Sequence, residues 1–129
     1  MACGGYHLMF IHHPPRFILV VEDIALLRMI AVDVLNDAGF ATFEARDAAD
    51  ALEQIYDHPE IDLLFTDINM PGDIDGLELA RRVHVARPEM GLILTSGRER
   101  PTGAQIPDHG RFLPKPYSAD VMINLIREA

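Results

Sequence analysis

At 129 residues the chain suits a single domain, large enough to bury a core without disulfides or metal staples. A formal charge of −9, from 20 acidic against 11 basic side chains, argues against a nucleic-acid surface, which would need clustered Lys and Arg to neutralise phosphates. The single cysteine, Cys3, cannot form an internal bridge, and no apolar run is long enough to span a membrane, so a cytoplasmic protein without membrane association is expected.

Residues 1–15 lack the pattern of a folded element. The apolar patch Leu8-Met9-Phe10-Ile11 has neither a basic start nor a small-residue cleavage site, which argues against a signal peptide. Cys3, His7, His12 and His13 are metal-ligand types, but their spacing matches no zinc pattern. A disordered extension ending at Pro14-Pro15 is expected, with one domain over residues 16–129.

From Phe17 onward, strand and helix patterns alternate. Phe17 to Val21 is a continuous apolar run ending on Glu22 and Asp23, and a helix follows with Leu27, Ile30, Ala31, Val34, Leu35 and Ala38 as its apolar stripe and Gly39 as its stop. Phe40 to Ala45 is a half-apolar strand. Asp47 caps a second helix that turns Ala48, Ala51, Leu52 and Ile55 inward. Leu63 to Thr66 is apolar until it stops at Asp67, and Asn69-Met70-Pro71-Gly72 then supplies turn chemistry. Asp75 caps a third helix, with Glu78 as its capping-box partner and Leu79, Val83 and Ala86 inside. Arg81-Arg82 reads as a solvated helix face and His84 as an exposed histidine. Leu92 to Thr95 is a third continuous apolar strand, closing on the hydroxyls of Thr95 and Ser96. Arg111 to Pro114 is a short strand, and Ser118 caps a last helix with Val121, Met122, Leu125 and Ile126 as its stripe.

Five strand-helix units imply an α/β domain with right-handed crossovers. Strands apolar at consecutive positions are covered on both faces, which places the runs at Phe17, Leu63 and Leu92 centrally in a parallel sheet. The strand at Phe40 is only half apolar and the one at Arg111 holds Pro114, so both belong at edges. The pattern predicts the flavodoxin-like order 2-1-3-4-5, with its switch point between strands one and three. One unit is irregular: between Ser96 and His109 stand Gly97, Pro101, Gly103 and Pro107, and Ile106 is the only large apolar side chain, so no regular helix is expected there.

That order gathers Glu22, Asp23 and Asp67 at one edge. Clustered carboxylates repel one another unless a cation joins them or one is protonated. Mg²⁺ suits the place, because it takes few carboxylates and leaves room for phosphate oxygens. With Thr95 as a hydroxyl donor, Ser96 competing for that part, and Lys115 as a point charge, the set is that of a phosphoryl-transfer site working by positioning and charge neutralisation.

These residues, in this order at successive strand ends, resemble a response-regulator receiver domain over Phe17 to Ala129. The matching positions are Glu22-Asp23, Asp67, Asn69-Met70-Pro71, Asp75-Gly76, Thr95 and Lys115-Pro116. The resemblance implies a phosphoacceptor Asp67, with Mg²⁺ held by Asp23, Asp67 and the backbone carbonyl of Asn69, and Glu22 acting through water. It implies that Lys115 pairs with the phosphoryl group, that Thr95 moves toward it, and that Phe112 stands where the family turns an aromatic inward. The implied partners are a sensor histidine kinase or histidine phosphotransfer protein and a downstream protein of unknown identity. The chain would be a stand-alone, monomeric signalling switch rather than an enzyme with a separate substrate.

Three departures accompany the match: a residue more between Pro71 and Asp75, no hydroxyl on Phe112, and the irregular segment before His109. Other functions fit less well. A haloacid-dehalogenase-type phosphatase wants a second acid where Asn69 stands, and a flavodoxin wants a phosphate loop where Glu22-Asp23 would repel one. A phosphorylation-independent interaction module on the same fold is the remaining alternative.

Overall fold

The computed structural model describes residues 15–129. The extension expected at residues 1–15, with Cys3, His7, His12 and His13, lies outside the described residues except for Pro15, which is buried. The elements are β1 (Phe17–Val21), α1 (Ala25–Asp37), β2 (Ala41–Ala45), α2 (Ala48–Asp57), β3 (Leu63–Asp67), α3 (Gly76–Ala86), β4 (Gly91–Ser96), β5 (Arg111–Pro114) and α4 (Ala119–Glu128). The strands form one parallel sheet in the order β2-β1-β3-β4-β5, as the burial grading predicts. Among the described residues no helix is long and apolar enough to cross a membrane.

Alternation along each strand splits the core in two. Leu19 and Val21 of β1, Leu64 of β3 and Leu92 and Leu94 of β4 face α2 and α3, while Ile18, Val20, Leu63, Phe65 and Ile93 face α1 and α4. Each such side chain, fully buried, contributes about 1.5–3 kcal/mol of transfer free energy, which holds the strand ends in register. Asp62 ties the start of the domain to this core, accepting hydrogen bonds from the amides of Arg16 and Phe17 at 3.0–3.1 Å.

The caps act where the sequence places them. Asp47 accepts from the Asp50 amide at 2.8 Å, Asp75 from Glu78 at 2.9 Å and Ser118 from Val121 at 3.2 Å. Gly39 ends α1 at φ +98°, a left-handed conformation that costs glycine little.

Five expectations need correction. Leu27 and Ile30 are 40% and 52% exposed rather than inward, because the first turns of α1 begin beyond the carboxyl end of β1; Ala31, Val32 and Leu35 are its buried residues. Val121 is likewise exposed, and α4 buries Met122 and Ile126. The Glu78 carboxylate does not close a capping box: it pairs with Arg81 and Arg82 on the next turn, where two guanidinium groups outcompete one backbone amide. Ala86 is exposed, and His84 is half-buried with its Nδ1 unpartnered among the described residues.

Between β4 and β5 the chain forms no helix. It makes two turns, closed by Gln105 N–H to the Thr102 carbonyl at 3.0 Å and by Gly110 N–H to the Pro107 carbonyl at 2.9 Å, and Ile106 folds back onto the core facing α2 and α3. Amide exchange from Arg100 to Asp108 is therefore expected to be far faster than at Leu92 to Leu94, whose amides open only with the whole sheet. Exchange read by mass spectrometry checks this, and a protected run of helical length would contradict the loop.

Candidate functional site at the carboxyl edge of the sheet

The three central strands end together. Val21 pairs with Thr66 and Asp67 with Thr95, so the residues after Val21 emerge beside the end of β3. Glu22, Asp23 and Asp67 each offer a carboxylate oxygen, and these atoms lie within 4.8 Å of one another. Glu22 and Asp67 are buried, and Asp23 is exposed. The donor set is all oxygen, which is the chemistry a hard divalent cation takes.

A cation already serves two of the acids. Lys115, the first residue after β5, places its Nζ 3.1 Å from Glu22 Oε1 and 3.1 Å from Asp67 Oδ2. Its own backbone amide donates to the Ser96 carbonyl at 3.0 Å, so β4 sets where the lysine starts. Burial acts most strongly on Glu22 and holds its carboxyl above the usual range, although the Ile24 amide and Lys115 pull it down. Burial also depresses Lys115, but the bonds and charges of Asp67 and Glu22 outweigh it and leave the ammonium above its ordinary value.

Backbone donors complete the acidic edge. Asn69 N–H donates to Asp67 Oδ1 at 3.2 Å, and Ile24 N–H donates to Glu22 Oε2 at 3.1 Å. Thr95 sits beside Asp67 on β4 with a buried hydroxyl that has no partner among the described residues. The hydroxyl of Ser96, by contrast, is taken up by Asn69 Nδ2 at 3.1 Å.

Two residues have positioning roles that only three-dimensional neighbours explain. Arg28 of α1 donates to the Glu22 carbonyl at 2.7 Å and to Glu44 at 3.1 Å, pinning the acid pair to β2; a lone arginine in an apolar helix gives no signal of this beyond its interruption of the stripe. Gly76, the first residue of α3, lies so close to the end of β3 that a Cβ there would stand 2.1 Å from the Asp67 carbonyl oxygen. From the acids a cleft of about 690 Å³ runs between α1 and α4, walled by Leu27, Ile30, Val34, Tyr117 and Met122.

A family model described as the response regulator receiver domain matches residues 18–127. The chain belongs to the response-regulator receiver family. This receiver is 31% identical over 114 residues to the response regulator receiver protein CpdR of Brucella abortus, covering 86% of this chain and 93% of CpdR. It is 30% identical over 115 residues to the chemotaxis protein CheY of Bacillus subtilis, covering 86% and 94%. A third relative, the sensor kinase CckA of Brucella abortus, is 31% identical over 115 residues, and there the chain spans 12% of the relative's length. Among solved structures, a receiver protein from Sinorhizobium medicae superposes with a TM-score of 0.80 at 29% identity, covering 88% of this chain and 92% of that one. The receiver domain of the hybrid histidine kinase CckA superposes at 0.75 and 30% identity, covering 87% and 96%. Receivers of this family are signalling switches of two-component systems.

Two substitutions probe this receiver's geometry. Gly76→Ala forces α3 away from Asp67 and should cost about 1–3 kcal/mol by urea denaturation, the usual scale of overpacking, while Gly103→Ala in open space stays within about 0.5 kcal/mol. Lys115→Met strips Glu22 and Asp67 of their cation. An acid whose folded pKa is raised costs stability as pH rises through it, whereas a lysine with a raised pKa contributes stability that is full below its unfolded value of 10.5. The deficit of Lys115→Met should therefore grow from near pH 4.5 upward, reaching about 2 kcal/mol near neutrality. Urea titrations across that range measure it.

Proposed function

We propose that the protein is the phosphoacceptor of a two-component or phosphorelay system, acting in the cytoplasm. The observation that carries this reading is the buried Asp67 carboxylate, which shares Lys115 with Glu22 and stands within 4.8 Å of Asp23. One Asp67 oxygen attacks the phosphorus of a donor phosphohistidine. The new P–O bond forms as the P–N bond breaks, and the electron pair leaves on the imidazole nitrogen. Mg²⁺, held by Asp23, Asp67 and the Asn69 carbonyl with Glu22 acting through water, would supply positive charge to the phosphoryl oxygens.

This chain's residues do the rest. Lys115 exchanges its contact with Asp67 for a phosphoryl oxygen, and the buried Thr95 hydroxyl gains an acceptor. Phe112, whose partner Leu94 directly precedes Thr95 on the neighbouring strand, would be the aromatic that responds when Thr95 moves. Water attack on phosphorus later expels the Asp67 carboxylate and resets the switch. The donor is a histidine kinase or phosphotransfer protein that approaches over α1, where Ile24, Leu26, Leu27, Met29 and Ile30 present an exposed apolar surface beside the acids.

Acetyl phosphate with Mg²⁺ should add one phosphoryl group to the wild-type protein and none to Asp67→Asn, whose amide keeps the shape without the nucleophile. Intact mass spectrometry decides the matter. Equal labelling of both proteins would remove Asp67 from its role, and labelling of neither would favour an interaction module that works without phosphorylation.

A further inference from the structure

Ser96 occupies an unusual position in the hydrogen-bond pattern. It ends β4, is fully buried, and its side-chain oxygen accepts from three donors: Asn69 Nδ2 at 3.1 Å, Arg98 N–H at 3.1 Å and Glu99 N–H at 3.0 Å. A hydroxyl oxygen has two lone pairs, so three donors cannot all be well aligned at once. The donors compete. Asn69 belongs to the turn that also donates to Asp67 Oδ1, whereas Arg98 and Glu99 open the connection that runs to β5 without a helix. Other observations tie the same residue to the site, since the Ser96 carbonyl accepts from Lys115 N–H at 3.0 Å.

We infer that Ser96 is a positioning residue that couples the Asp67 turn to the β4–β5 connection through competition for its hydroxyl oxygen. When the Asn69 side chain withdraws, Arg98 and Glu99 each gain a lone pair of their own and the start of the connection tightens. When Asn69 is drawn in, that start loosens. In a domain with no helix here, these two amides tie the entry of the connection to the end of β4, so a change at Asp67 that shifts Asn69 alters the order of the segment that follows. The inference rests on the phosphoacceptor reading for its trigger but not for the coupling itself.

Amide exchange at Arg98 and Glu99, read by NMR on the full chain with and without acetyl phosphate and Mg²⁺, tests it in four proteins. Asn69→Ala should slow exchange at both amides about threefold without any phosphodonor, a fraction of one hydrogen bond, and should abolish any further response. In wild type the phosphodonor should change exchange at both amides. Ser96→Ala should speed exchange in both conditions and remove the response, and Ser96→Thr, which keeps the oxygen, should restore it. A serine with only a packing role would lower global stability yet leave the response in place. Unchanged exchange in Asn69→Ala, or a full response in Ser96→Ala, overturns the coupling. Failure of Asp67 to accept phosphate appears separately, as a missing mass increase, and leaves the Asn69→Ala comparison intact.

Discussion

The contact on which the site depends is a single ammonium shared between two carboxylates. Parallel strands ending side by side bring acids from β1 and β3 together, and their repulsion would push the strand ends apart if nothing stood between them. Lys115 stands there, reaching from β5 across 93 residues of sequence to Glu22 and 48 to Asp67. Its bonds are made at the one edge of the sheet where the central strands all finish. The same arrangement that closes the fold therefore holds the Glu22 and Asp67 carboxylates side by side.

Much of this was legible in the sequence, for a physical reason. Strands buried on both faces are written as uninterrupted apolar runs, so their ends, and the polar residues placed there, can be read directly. Glu22, Asp67, Thr95 and Lys115 were each found at the end of a strand whose limits were plain. Pro101, Gly103 and Pro107 likewise announced a connection without a helix, because backbone restriction is local and does not wait on tertiary contacts. The half-apolar β2 and the proline in β5 predicted the two edges of the sheet by the same logic.

What was hidden depended on three-dimensional neighbours. Leu27 and Ile30 have the spacing of a core stripe, but spacing cannot tell whether a sheet lies beneath that turn, and here α1 starts past the end of β1. Glu78 sits where a capping box would have it, yet Arg81 and Arg82 claim it. Ser96 and Thr95 are rivals by sequence, whereas the strand's alternation sends the two hydroxyls to different tasks: one beside Asp67 without a partner among the described residues, the other oversubscribed beneath Asn69. Gly76 was visible as part of a motif, but its reason is a backbone approach that only coordinates reveal.

The exposed apolar surface of α1 has a colloidal consequence. A helix that shows Ile24, Leu26, Leu27, Met29 and Ile30 to water carries an incentive for two copies of the chain to stick together. A formal charge of −9 supplies the opposing force, since like-charged molecules repel before their sticky surfaces can meet. That repulsion reaches only about 8 Å at physiological ionic strength and shortens as salt is added, while apolar attraction does not weaken. The net negative charge thus opposes self-association through the apolar surface of α1, and that opposition fades as salt is added.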